Sequence, residues 1–177
     1  MAYRVIASEI LFSGRVFKVR KDQVVLEDGR ESSVDVVVHP GAVVILPILD
    51  ARRIVMIRNY RHTVEQELWE LPAGTAEPNE APIETARREL EEETGYRAGT
   101  MTPLTEFFTS PGVLTERMFA FVATELQPVG QRLEVGERIV AEIVELDRAR
   151  TWLTNGELRD GKTIAVLGTY FARMQGQ

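Results

Sequence analysis

The 177-residue sequence contains no cysteine. That excludes a disulfide framework and any thiolate-bound metal, and it fits a cytoplasmic location. Histidine is almost as scarce. The first of the two, His39, has no second histidine or cysteine at ligand spacing, so the His39-Pro40-Gly41 triplet reads as a turn. No apolar run approaches the roughly 20 residues of a membrane-spanning helix. The start MAYRVIASEI also lacks the layout of a secretory leader, and no membrane association is expected. Basic charge is in deficit, with 21 Lys and Arg against 27 Asp and Glu and a net charge of −6, which argues against a nucleic-acid surface. Internal repeats, low-complexity segments and a linker to a second domain are absent. What remains is ordinary for a globular chain: 44% hydrophobic and 27% charged residues, with enough length for one sizeable core.

The acidic excess is concentrated in Gly74 to Tyr96, which carries seven glutamates (residues 77, 80, 84, 89, 91, 92 and 93) against Arg87 and Arg88. On a helix Glu89, Glu92 and Glu93 stand at i, i+3 and i+4 and share one face. Like charges repel there, and more strongly where water is excluded. A divalent cation relieves that repulsion, and hard oxygen donors suit Mg2+ or Mn2+. A bare run of glutamates is more often a solvated face, so the spacing of its neighbours has to decide. For Glu77 and Glu91 the solvated reading is preferred.

The flanking chain reads as strands around that helix. Residues 1–38 form a β meander, with runs at 16–19, 23–26 and 33–38, a hairpin signal at Asp28-Gly29 and a less clear strand before residue 12. Residues 42–49 read as a strand buried on both faces, followed by another at 53–58. Pro82 suits the first helical position and Gly95 the stop, with Ile83, Ala86 and Leu90 as the apolar stripe. Strands are expected at 101–109, 117–124 and 139–146, with a mobile loop at 127–136. Asp147 is expected to cap a short helix ending near Gly156, and Thr163 to cap a last helix with Ile164, Leu167, Phe171 and Met174 inward.

The order Gly74, Glu80, Arg88-Glu89-Leu90, Glu92-Glu93, Gly95 resembles the signature of the Nudix hydrolases, with every polar and glycine position in register. Tyr96 stands where an aliphatic residue is usual. Tyr60-Arg61, Glu70 to Gly74 and Ser110-Pro111-Gly112 resemble the ADP-ribose pyrophosphatase branch, over roughly residues 15 to 170. The resemblance implies an α+β fold, an α/β/α sandwich with a mixed central sheet and the box helix. It also implies an N-terminal antiparallel β appendage (1–38) beside a catalytic domain (39–177).

That branch hydrolyses the diphosphate of ADP-ribose to AMP and ribose 5-phosphate with two or more Mg2+ ions, for which Mn2+ can substitute. It implies metal ligation by Glu89, Glu92, Glu93 and the Ala73 carbonyl, with Arg88 and Glu80 bracing the box. It further implies substrate contacts from Arg61, Glu70, Glu116 and Pro111, and a catalytic base in the late loop, Glu137 preferred over Glu134. Arg61 could instead be a surface base paired with Glu65 or Glu67, and Glu70 could only brace its turn. The branch also implies a homodimer with exchanged N-terminal segments. Two alternatives stand beside it: a GDP-mannose type nucleoside diphosphate sugar pyrophosphatase, and a non-catalytic ADP-ribose-sensing module.

Overall fold

The computed structural model describes residues 4–133 and 135–175. The chain forms two compact units, one made of the residues up to Gly41 together with Phe108–Arg117, the other of Ala42–Phe107 and Met118 onward.

In the first unit β1 (Arg4–Ser13), β2 (Lys18–Val25) and β3 (Glu31–Val38) make an antiparallel meander in sequence order. The two short runs expected at 16–19 and 23–26 are instead one continuous β2. Nothing between them breaks a strand, and the polar centre is satisfied in place. Asp22, 5% exposed, accepts hydrogen bonds from Ser8 Oγ (2.6 Å) and Arg20 Nη2 (2.8 Å). All ten residues of β1 are exposed, Val5, Ile6, Ile10, Leu11 and Phe12 among them. The segment 108–117 joins this unit through Val37, whose N–H donates to Val113 O (2.8 Å) and whose carbonyl accepts from Thr115 N (2.9 Å). His39 serves as a turn residue, its Nδ1 accepting from Gly41 N at 3.1 Å.

The second unit holds two sheets. In the first, β4 (Ala42–Pro47) lies parallel to β9 (Arg117–Pro128) and antiparallel to β7 (Ala73–Thr75), and β8 (Tyr96–Phe108) completes the order β7-β4-β9-β8. In the second, β5 (Arg53–Arg61) runs antiparallel between β10 (Ile139–Glu145) and β6 (Gln66–Glu70). The mixed sheet is therefore accompanied by a separate antiparallel one.

Every residue of β4 is buried. Its period-2 alternation sends Val44 and Leu46 into one core with Met56, Trp152, Val166 and Leu167, and Val43 and Ile45 into another with Ala86 and Leu90. Helix α1 (Pro82–Thr94) thus covers one face, and α2 (Leu146–Asn155) with α3 (Gly161–Gln175) the other, which is the α/β/α layering. No described helix is long and apolar enough to cross a membrane.

Both expected caps of the late helices move. Asp147 lies in the first turn of α2, and Glu145 at the N-cap makes no side-chain capping bond. Thr163 lies inside α3, fully buried, and Asp160 is the cap, its Oδ2 accepting from Thr163 N at 3.0 Å. Of the four residues expected on α3 as core or dimer contact, Leu167 and Phe171 are buried in the core, and Ile164 and Met174 are exposed.

Candidate active site

Three elements of the second unit place the acidic residues. Helix α1 starts on Pro82 and ends at Gly95, whose φ of 74° is left-handed and whose N–H bonds Glu91 O. A side chain at Gly95 would also meet the chain opposite, since a Cβ there would lie 2.7 Å from Gln131 N. Ala86 and Leu90, both 0% exposed, seat the helix on β4; Glu89 and Glu92 stand half-buried beside that stripe, while Glu93 is turned in against β7. Strand β7 runs beneath them. A Cβ at Gly74 would collide with the Glu89 carboxyl group, so the glycine that opens the motif is needed for close approach.

Glu93 is 3% exposed and accepts a hydrogen bond from Ala73 N at 2.8 Å. Burial pushes its carboxyl up to about 8; the Ala73 N–H and Arg61 oppose that, while the charges of Glu89 and Glu137 add to it. Burial likewise raises Glu89 to about 7, with Glu92 and Glu137 adding to the rise and Arg88 counteracting it. The two carboxylates repel each other and both sense Glu137.

Arg88 binds the rest of the cluster, donating to Glu80 Oε1 and Oε2 (3.1 Å each), Glu89 Oε1 (2.8 Å) and Glu92 Oε2 (3.0 Å). Its fork, assisted by the N–H of Glu77 and the Thr85 hydroxyl, holds Glu80 down at about 2. Glu91 is not solvated but paired with Arg97 at 2.7 Å, an ion pair that lowers its carboxyl, and it lies off the Glu89 side of the helix.

The donor chemistry fits a divalent cation. Two neighbouring carboxylates raised to about 7 and about 8 by burial are hard oxygen donors whose charged forms a divalent cation would stabilise. Among the described residues no three acidic or histidine side chains converge as a ready-made cage, because Glu89 and Glu92 are engaged by Arg88. Glu89 and Glu93 are the part of the expected ligand set that interacts directly, and Ala73 adjoins Glu93 through its N–H.

The loop after β9 is fastened to the end of α1. Val129 N and Gly130 N donate to Gly95 O (2.8 and 3.1 Å), Arg132 N to Glu92 O (3.0 Å), and Gln131 Nε2 to Glu93 O (2.6 Å). At its far end Arg138 O accepts from Tyr60 N at 3.4 Å. Glu137, exposed, lies between these anchors. Glu134 lies outside the described residues.

Arg61 pairs with neither Glu65 nor Glu67. It forks onto Glu70, Nε to Oε1 at 2.8 Å and Nη2 to Oε2 at 2.6 Å, and it also feels the charge of Glu93. Glu70 is 0% exposed, its carboxylate taken up by Arg61 and Lys162. Pro111 and Glu116 are carried by the first unit, where Glu116 accepts from Thr109 Oγ1 at 2.7 Å and lies 3.5 Å from His39 Nδ1. Sequence reasoning missed Lys162, Asp160 and Gln131. The Asp160-x-x-Thr163 spacing is a legible capping signal, but nothing in the sequence points Lys162 or Gln131 at the site.

The family model described as the NUDIX domain matches residues 38–167. An ADP-ribose pyrophosphatase of Bacillus subtilis is 40% identical over 162 residues, 90% of this chain and 88% of that protein. A methanol dehydrogenase activator of Bacillus methanolicus is 39% identical over 163 residues, 91% of this chain and 88% of that protein. Among solved structures, an ADP compounds hydrolase superposes with a TM-score of 0.87 at 23% identity, covering 100% of this chain and 96% of that one, a likeness of fold. With a complete signature running from β7 through α1, a matching fold and relatives alike over most of their length, this chain belongs to the Nudix hydrolase family.

Proposed function

We propose that this protein hydrolyses the diphosphate bond of ADP-ribose, giving AMP and ribose 5-phosphate. The observation that carries the reaction class is the buried Glu89 and Glu93 pair, raised to about 7 and about 8, with Arg61 alongside. The substrate choice is supported by the likeness to the Bacillus subtilis ADP-ribose pyrophosphatase.

Glu89, Glu92, Glu93 and the Ala73 carbonyl would hold two or more Mg2+ ions, with Mn2+ as a substitute. Bound there, the metal neutralises phosphate oxygens and lowers the pKa of an attacking water. Arg88 is positioned to give up Glu89 and Glu92 while keeping Glu80. Arg61 would orient the diphosphate, and water would lose its proton to Glu137, whose charge already acts on Glu89 and Glu93. Glu137→Gln should then lower kcat by about 10²-fold with the Mg2+ dependence unchanged. An unaffected rate would move the base to Glu134 or Glu116. Substrate contacts from Pro111 and Glu116 rest on family resemblance alone.

The strand β1, exposed along its whole length and carrying apolar side chains, supports a homodimer formed by exchange of N-terminal segments, and a monomer by light scattering at micromolar concentration would overturn it. The absence of cysteine supports a cytoplasmic setting.

The deciding experiment is a panel of ADP-ribose, GDP-mannose, NADH, diadenosine polyphosphates and 8-oxo-dGTP with Mg2+, with products separated by chromatography. ADP-ribose should show the highest kcat/KM, and AMP should be released from it. A preference for GDP-mannose would establish the second reading, which draws on GDP-mannose pyrophosphatases alike at 33% identity over 72% of this chain. No turnover of any substrate, with binding of ADP-ribose retained, would indicate a sensing module. The complete set of box glutamates speaks against that.

A further inference from the structure

The first turn of α3 builds a second charged group that the box does not include. Lys162 Nζ donates to Glu70 Oε2 at 2.7 Å and to Asp160 Oδ1 at 2.9 Å. Asp160 Oδ2 accepts from Thr163 N (3.0 Å) and Thr163 Oγ1 (2.6 Å), and that hydroxyl accepts from Leu71 N at 2.8 Å, the residue after Glu70. The Glu70 side chain, 1% exposed, is thus gripped by Lys162 (15%) and by Arg61 (39%), the most exposed member.

A carboxylate buried this deeply needs its charge answered at every moment. Arg61 answers it with Nε and Nη2, a planar fork that fixes the guanidinium and leaves Nη1 outside the pairing. A single cation engaged this way would have to divide its charge between Glu70 and an incoming anion. Two cations sharing one carboxylate remove that conflict. Lys162 is held by Asp160, and Asp160 by the helix end, so the second cation cannot drift away.

We propose that Lys162, seated by Asp160, is a positioning residue for Arg61. By keeping Glu70 neutralised and fixed in plane, it leaves the guanidinium aimed and available for the diphosphate of the substrate. The proposal rests on the reading that Arg61 contacts that diphosphate. Lys162 itself touches neither substrate nor metal.

The test uses the full-length protein with ADP-ribose and saturating Mg2+, comparing Lys162→Met, Lys162→Arg, Arg61→Gln and the double variant Arg61→Gln with Lys162→Met. Lys162→Met should raise KM by about tenfold and change kcat by less than about threefold, the pattern of lost ground-state binding. Calorimetric binding of ADP-ribose to the metal-free protein should weaken by a similar factor. Lys162→Arg should recover most of the loss, and the double variant should be no worse than Arg61→Gln alone, because both changes break one unit.

An unchanged KM in Lys162→Met, or losses that multiply in the double variant, would overturn the proposal; the latter would give Lys162 a contact of its own. Should Lys162→Met fail to fold, Asp160→Asn keeps the cap while withdrawing the charge that seats Lys162. It should raise KM in the same direction, and an unchanged KM would count against the proposal. An Arg61→Gln variant with normal KM would instead remove the Arg61 reading itself.

Discussion

Glu93→Gln should leave a folded protein whose turnover of the diphosphate substrate falls by about 10²–10³-fold or more, the scale lost with one preorganised electrostatic contact. The same change should make the metal-free protein more stable at alkaline pH. In the wild type the Glu93 carboxyl sits at about 8, above its ordinary 4.5, because it is buried and faces Glu89 and Glu137. Between those two values the folded chain retains a proton that the unfolded chain has released. Stability therefore falls as pH rises through that window and levels off above about 8. Glu80 works in the opposite direction but elsewhere, its contribution being lost only as pH drops from about 4.5 to about 2.

Thermal melts with chelator at pH 5.5 and pH 8 should show the wild type losing Tm between them, with Glu93→Gln losing less, the remainder coming from Glu89, and standing higher at pH 8. Adding Mg2+ should restore the wild type at pH 8 far more than the variant. Wild-type turnover in Glu93→Gln would remove this residue from the chemistry.

Gly74→Ala should be almost as damaging, although it adds a single methyl group and changes no charge. The new Cβ would occupy the place of the Glu89 carboxyl group, and Gly74 cannot retreat because β7 is paired with β4 at Val43. Glu89 must therefore swing aside. Displacing a catalytic constellation by about 1 Å can cost on the order of 10²-fold in rate, whereas the overpacking itself costs about 1–3 kcal/mol of stability. Kinetics at saturating Mg2+ beside a denaturant melt would separate the two effects. A Gly74→Ala protein with full kcat would mean that Glu89 need not lie over this strand.

The box was legible in the sequence because its chemistry is local. The 3.6-residue period that seats Ala86 and Leu90 on β4 is the same period that aligns Glu89 with Glu93, and Pro82 and Gly95 mark their own helix ends. The layering around β4 followed from a run of apolar residues with no polar break. The rest depended on partners distant in sequence. That Arg61 meets Glu70 rather than Glu65 or Glu67 shows only in the folded chain: the β5–β6 register sets Arg61 opposite Gln66 and Glu70 opposite Ile57, and the long arginine side chain reaches along that face. Lys162 reaches Glu70 across 92 positions, and no periodicity encodes such a contact. The cap of α3 was misplaced by three residues because threonine and aspartate are both good capping residues, and the burial of Thr163 decides between them.

The fastening of the late loop has a consequence for how a base could be delivered. With Arg132 tied to Glu92 and Arg138 tied to Tyr60, Glu137 rides on a tether of only a few residues, pinned at both ends. Glu137 directly adjoins the Arg138 anchor, so placing its carboxylate over a bound substrate would forfeit little entropy. Because loop-closure entropy grows only logarithmically, about 0.6 kcal/mol per doubling of length, lengthening the tether would hardly trouble the fold. It would enlarge the volume the carboxylate must search. Inserting residues between Arg132 and Glu137 should therefore lower kcat more than Tm if Glu137 is the proposed base.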